Sequence, residues 1–272
     1  MKIFNLLLPL LISCSSIQTT DNKLLSRPHA EKLCFVGDTG TGEKEQYEVA
    51  RAMEKANCDA VFIAGDIIYP IGIWSKKSNA FKKKFLRPFE SLRQKSEIFL
   101  ALGNHDYYGR QSLYLEIVKP FKNVQFPNYF YQVVTKSACI FVLDTNKGLD
   151  EQVDWLRVVK NDYPCPKTIL VGHHPYLSQG EHGDATGKRK DFYEEILQLN
   201  FDAVVAGHDH HLSYEGKTKN THHFITGAGA KLRDFDQVRE KTWGVSKLGF
   251  LVYDGSWAFF GINNEELWRL YE

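Results

Sequence analysis

Short apolar runs that stop abruptly at polar clusters recur along this chain. Leu33–Val36 runs into Gly37-Asp38, and Ala60–Ala64 into Gly65-Asp66. Ile98–Leu102 runs into Gly103-Asn104-His105-Asp106. Ile169–Val171 is followed by Gly172-His173-His174, and Ala203–Ala206 by Gly207-His208-Asp209-His210. Continuous runs of this length predict strands buried on both faces. Helical patterns lie between several of them, at 45–56 and 152–159. That alternation predicts an α/β fold around a central sheet. Ligands of such sheets gather beyond the carboxyl ends of the strands. A glycine at each junction lets the backbone turn sharply and present the next side chain to a common cleft. Five polar clusters are therefore expected to converge. The tail differs: Gly249–Tyr253, a turn at Asp254-Gly255 and Trp257–Phe260 read as an antiparallel hairpin closing the sheet edge.

The 272 residues, 43% of them hydrophobic, suffice for one sizeable core and favour a single domain. A formal net charge of +1 gives no bulk electrostatic case for nucleic acid or an anionic membrane. Lys82, Lys83 and Lys84, between Phe81 and Phe85, read as the wet face of an amphipathic helix. At the N-terminus, Lys2 precedes an apolar stretch from Ile3 to Ile12 that is too short to span a bilayer. This is the layout of a secretory signal, expected over residues 1–13. Leu11-Ile12-Ser13-Cys14 resembles the bacterial lipobox, which implies a lipid on Cys14 and a membrane anchor through it. An ordinary signal peptide cut later, with Cys14 discarded, is the alternative. Polar residues 14–30 read as a tether and 31–272 as the folded domain. The expected destination is the periplasm, outer membrane or cell surface as a lipoprotein, or otherwise the medium. Cys34, Cys58, Cys139 and Cys165 form no C-x-x-C pair, so no zinc or redox motif is signalled. Export permits disulfides, but Cys34 and Cys139 lie inside apolar runs, and the four are read as buried thiols without assignable connectivity.

The residues expected to converge are Asp38, Asp66, Tyr69, Asn104, His105, His173, His208 and His210. Hard oxygens and imidazoles gathered in one cleft are metal ligands by type. A single Asp after a strand is ordinarily a helix cap or turn former, and a single His is ordinarily just hydrogen-bonded. Five such clusters would need five coincidences.

Taken in order, Gly37-Asp38-Thr39-Gly40, Gly65-Asp66-Ile67-Ile68-Tyr69, Gly103-Asn104-His105-Asp106, Gly172-His173 and Gly207-His208-Asp209-His210 resemble the signature of the metallophosphoesterases. Within them the chain resembles the purple acid phosphatases of the small, tartrate-resistant type. Phe126–Tyr131 and Val142–Thr145 resemble non-catalytic core segments of that group. The resemblance implies a four-layer α/β/β/α fold, a central β-sandwich flanked by helices. Most metallophosphoesterases carry a metal-binding His where this chain has Gly40; Tyr69 stands where a phenolate could replace it. Carried over, the resemblance implies iron(III) held by Asp38, Tyr69 and His210. It implies a divalent ion, iron(II), zinc or manganese, held by Asn104, His173 and His208, with Asp66 bridging.

It further implies an acid phosphatase in which hydroxide generated at the metals attacks a phosphate monoester. His105, oriented by Asp106, and His182 in Glu181-His182-Gly183 would bind phosphate and protonate the leaving group. His174 is not counted as a ligand, and His211, His222 and His223 are read as surface or rim residues. Thr39 replaces a frequent aromatic residue, and Trp74 in the loop 70–79 has no assigned role. A phosphodiesterase or nucleotide hydrolase on the same metals is the alternative. A non-catalytic binding protein on the same scaffold is a distant one.

Overall fold

The computed structural model describes residues 23–235 and 239–271. Seven strands form one sheet, in the order β15 (Glu266–Arg269), β14 (Trp257–Gly261), β13 (Gly249–Tyr253), β2 (Leu33–Val36), β3 (Ala60–Ala64), β4 (Glu97–Ala101), β5 (Val124–Gln125). Eight form the other: β1 (Leu24–Arg27), β6 (Tyr131–Thr135), β7 (Cys139–Val142), β8 (Thr168–Val171), β9 (Ala203–Ala206), β11 (Thr221–Thr226), β10 (Leu212–Thr218), β12 (Trp243–Val245). Strands β2 to β5 run parallel, as do β7, β8, β9 and β11. The expected tail hairpin is β13–β14, paired antiparallel onto β2.

The strand runs are continuous because both faces are covered. On β8, Ile169 and Val171 join the core shared by the two sheets. Leu170, between them, packs outward with Val153, Leu156, Phe192 and Ile196. Those four come from helices α2 (Leu149–Val159) and α3 (Gly187–Ile196). Helix α1 (Lys44–Lys55) lies on the seven-stranded sheet, against β13, and buries Val49, Ala50 and Met53. The layers are therefore α/β/β/α.

Three phenylalanines stack across the strands of the seven-stranded sheet that lead to Asp38, Asp66 and Asn104. Phe35, Phe62 and Phe99 are direct partners on β2, β3 and β4, with ring centroids 5.4 and 4.9 Å apart and nearly parallel planes. Each stacked pair contributes about 1 kcal/mol beyond its burial. This ladder fixes where Asp38, Asp66 and Asn104 emerge.

Several sequence expectations are corrected. Leu24–Arg27, assigned to the tether, pair in parallel with β6 as an edge strand. The four cysteines are not free thiols: Cys34–Cys58 and Cys139–Cys165 are disulfides, with Cα separations of 5.8 and 5.6 Å. Each joins a strand to the loop entering its parallel neighbour, a proximity created by strand pairing and invisible in sequence spacing. Lys82 and Lys83 are exposed on a short π-helical turn, but Lys84 turns inward and its Nζ donates to the Tyr69 carbonyl at 2.6 Å. His211 and His223 are buried, and His222 is half-buried. Residues 1–13 and Cys14 lie outside the described residues.

His223 has no hydrogen-bond partner at either ring nitrogen among the described residues. Burial, and then the nearby His222, push its pKa down to about 3 from 6.5. The unfolded chain takes up this proton first, so stability is lost as pH falls from about 6.5 toward 3. The expected slope from this group is about 1.4 kcal/mol per pH unit. Urea midpoints measured across that range should fall less steeply in His223→Phe than in the wild type.

Candidate metal centre

Five strand ends from two sheets meet here because small residues let the sheets touch. A Cβ on Gly37 would lie 2.9 Å from the Gly207 Cα, so the two loops pack backbone on backbone. Gly65, at φ 85°, leaves room for the His173 ring, which a Cβ would strike at 2.4 Å. Thr226 ties the sheets together: its carbonyl accepts from Gly37 N at 2.7 Å, and its hydroxyl donates to the Phe35 carbonyl at 2.9 Å.

Three of the expected ligands, Asp38, Asp66 and His208, hold left-handed backbone at φ 60°, 54° and 73°. Such strain in non-glycine residues costs about 1–3 kcal/mol each and persists where the surroundings over-determine it. Here the surroundings are visible. His208 N donates to Asp38 Oδ2 at 2.7 Å, and His105 N donates to Asp66 Oδ1 at 2.9 Å.

All seven expected ligands are brought together. Single donor atoms of Asp38, Asp66 and His173 lie within 4.8 Å of one another. Tyr69 donates its hydroxyl to Asp38 Oδ1 at 2.8 Å, and His210 Nε2 lies 3.1 Å from that hydroxyl. On the other side, His173 Nε2 lies 2.9 Å from Asn104 Oδ1 and 3.2 Å from His208 Nδ1. His173 Nδ1 donates to the Ala64 carbonyl at 2.9 Å, so Nε2 is the nitrogen that faces the cluster.

The charges fit a cation. Burial works against the Asp38 anion, yet His210 and His173 outweigh it and hold its pKa low. Burial likewise works against a charged His173, but Asp66 and Asp38 outweigh it and raise its pKa. Burial, then Asp38 and Asp66, push the Tyr69 phenol far above its usual range. A phenolate there therefore requires a strongly charged partner ion. Burial, then the neighbouring His173, push His208 well down, toward the neutral form that binds metal. Position 40 is consistent with Tyr69 as the donor: a Cβ on Gly40 would lie 2.2 Å from the Ile67 carbonyl oxygen, so no side chain fits.

His105 sits at the rim, its Nε2 3.9 Å from Asp66 Oδ2 and its ring edge-on to Tyr69. Its expected orienting partner is corrected. His105 Nδ1 meets the Pro70 carbonyl at 2.6 Å. Asp106 instead accepts from the backbone N–H groups of Ile67, Ile68 and Gly103 at 3.1, 3.2 and 2.9 Å, and from the Tyr114 hydroxyl. It braces the loop that carries Asp66 and Tyr69. Burial, then the Asp66 charge, raise its pKa to about 7.

His182 is held at Nδ1 by Asp209 Oδ1 at 2.8 Å, with its ring 4.0 Å from that of His208. His174 is buried beside the cluster, within metal-binding range of His173 and His208, while its Nδ1 meets the Thr145 hydroxyl at 2.8 Å. Burial, then His173, push it down to about 2. Sequence reasoning gave no role to Asp209 although it lies in the last cluster. It missed Lys231, whose Nζ stands 3.7 Å over the Tyr69 ring, and Arg233, which contacts His182. Both lie in a loop with no motif to mark it. Trp74 and Ile71 are exposed on the loop beside His105.

Comparison with known proteins matches residues 31–212 to the calcineurin-like phosphoesterase family. The chain belongs to that family. Its curated relatives place it with the purple acid phosphatase-like metallophosphoesterases. It is 28% identical over 214 residues to tartrate-resistant acid phosphatase type 5 of Homo sapiens, covering 67% of this chain and 64% of that one. It is 26% identical over 266 residues to the Rattus norvegicus protein of the same name, covering 82% and 77%. Purple acid phosphatase 17 of Arabidopsis thaliana is 26% identical over 215 residues, covering 68% and 62%. The match thus spans less than two thirds of the human and plant relatives. Among solved structures, "GAP50 the anchor in the inner membrane complex of Plasmodium" shares the fold at a TM-score of 0.76 and 17% identity, over 88% of this chain and 87% of that one.

Asp106→Asn keeps one acceptor oxygen and loses the other. The brace should loosen, and metal affinity should fall by about 10- to 100-fold, as for groups that position a ligand. Competition with a chelator would measure it; unchanged affinity would mean that Asp106 does not support the site.

Proposed function

We propose that this chain is a dinuclear acid phosphatase acting on phosphate monoesters. One observation carries the reading: seven donors converge, and Tyr69 supplies a hard oxygen where position 40 has no room for a side chain. Iron(III) would be held by Asp38, Tyr69 and His210. A divalent iron, zinc or manganese would be held by Asn104, His173 and His208, with Asp66 shared. Bound there, the two cations would neutralise phosphate oxygens and acidify water.

The protein's own groups do the rest. His105 and His182 stand on two sides of the cluster and are proposed to bind phosphate and deliver the leaving group's proton. Asp209 fixes the His182 tautomer with the proton on Nδ1, so Nε2 is the atom that exchanges it. Export is part of the proposal, with Cys14 as the lipid-bearing residue of a membrane-anchored protein. The two disulfides support an oxidising compartment.

Turnover of p-nitrophenyl phosphate should exceed that of bis(p-nitrophenyl) phosphate, with an optimum below neutral pH. A faster diester would replace this reading with a phosphodiesterase. The oxidised, iron-supplied protein should show a visible charge-transfer band that disappears in Tyr69→Phe. A colourless wild type with intact phosphatase activity would remove iron(III) while leaving the hydrolase.

A further inference from the structure

Positive charge is concentrated in one stretch of this chain. Between residues 70 and 95 stand eight Lys or Arg and one acid, Glu90, although the formal net charge of the whole chain is +1. Lys76 pairs with Glu116, Lys95 pairs with Glu54, and Lys84 is turned inward. Lys77, Lys82, Lys83 and Arg87 are exposed, with no ion pair among the described residues. Phe81, Phe85 and Phe89 are buried and pack ring to ring, so this turn keeps its basic residues on its wet side.

An apolar tip adjoins the basic band. Ile71, Trp74 and Tyr108 are 52%, 56% and 56% exposed, three of the eight large apolar side chains that stand well out among the described residues. They sit on touching loops: Arg110 N donates to the Ile73 carbonyl at 2.7 Å, and a Cβ on Gly109 would meet the Ile73 backbone at 2.7 Å. The turn of Lys82 and Lys83 is moored to the same segment, because Lys84 Nζ reaches the Tyr69 carbonyl at 2.6 Å. Single exposed apolar residues are ordinary, but a group of them rimmed by charge marks an interaction site.

The residue types select the partner. Tryptophan and tyrosine favour the boundary between headgroups and acyl chains. Lysines beside that boundary gain from anionic headgroups. Isoleucine gains from hydrocarbon, and it has no ring on which a base could stack. Six of the eight basic residues are lysine, a diffuse point charge, rather than arginine, whose fork grips individual phosphates.

We propose that Ile71, Trp74 and Tyr108, with Lys77, Lys82, Lys83 and Arg87, form a docking surface for an anionic lipid bilayer. The three apolar side chains enter the interface while the cations stay among the headgroups. His105 meets the Pro70 carbonyl of the same loop, so docking sets the mouth of the metal centre against the membrane. The surface is separate from any lipid on Cys14 and does not depend on the hydrolase reading.

The test uses the full chain and vesicles of phosphatidylcholine, alone or mixed with phosphatidylglycerol. Sedimentation and tryptophan emission are measured for wild type, Lys82→Gln with Lys83→Gln, Trp74→Ala and Trp74→Phe. All four proteins share one N-terminus, so a difference among them belongs to this surface. Wild type should prefer the mixed vesicles and lose that preference in high salt. Each lysine removed should weaken binding about fivefold, and Trp74→Ala about tenfold. Trp74 is the exposed one of five tryptophans, so emission should shift to the blue on binding in wild type and not in Trp74→Phe. Binding indifferent to phosphatidylglycerol and to both lysines, or wild-type emission that does not shift, would overturn the docking surface. Tighter binding to a single-stranded oligonucleotide, lost in the double lysine variant, would overturn the lipid assignment.

Discussion

Two carboxylates, Asp38 and Asp66, are buried together at the ends of adjacent parallel strands, and the rest of the centre depends on that placement. Buried anions are costly unless paired. Protonated histidine and the Tyr69 hydroxyl answer the charge within the chain. A cation answers it better, because the same imidazole and phenol groups are ligands by type. Attraction for metal is thus a consequence of where the sheet puts its acids.

That placement is expensive and is supported from below. Left-handed backbone at Asp38, Asp66 and His208 is held by hydrogen bonds between loops, one crossing from sheet to sheet and one joining neighbouring loops of the seven-stranded sheet. The phenylalanine ladder sets the height at which the loops leave the sheet, and Asp106 and Lys84 brace the loop of Asp66 and Tyr69. Core packing and site geometry are one structure here: a slipped strand would carry a ligand away from its partners. The histidines at the rim are less deeply held, and their orientation comes from outside the ligand set: Pro70 for His105, Asp209 and Arg233 for His182.

The five strands, the tail hairpin and all seven converging donors were legible because each is a local pattern. An apolar run followed by glycine and a donor needs only a handful of neighbouring residues to be read. Asp106 shows the limit of that reading. Adjacency to His105 suggested a partnership, yet a one-turn helix at Asn104–Tyr107 points the carboxylate inward to three backbone N–H groups. The cysteines show it again, since each pair is joined only after strands lie side by side.

By itself the sequence determined the alternation of strands and helices, the strand ends that carry chemistry and the lack of a side chain at position 40. These follow from residue type, short-range spacing and the steric character of glycine, which need no tertiary context. The tertiary structure alone decided which groups surround the donors, Lys84 and Lys231 beside Tyr69 and Asp209 and Arg233 against His182, and it alone buried His223. Contacts among residues far apart in the chain are set by how two sheets stack and where their loops meet. No local pattern encodes that distance.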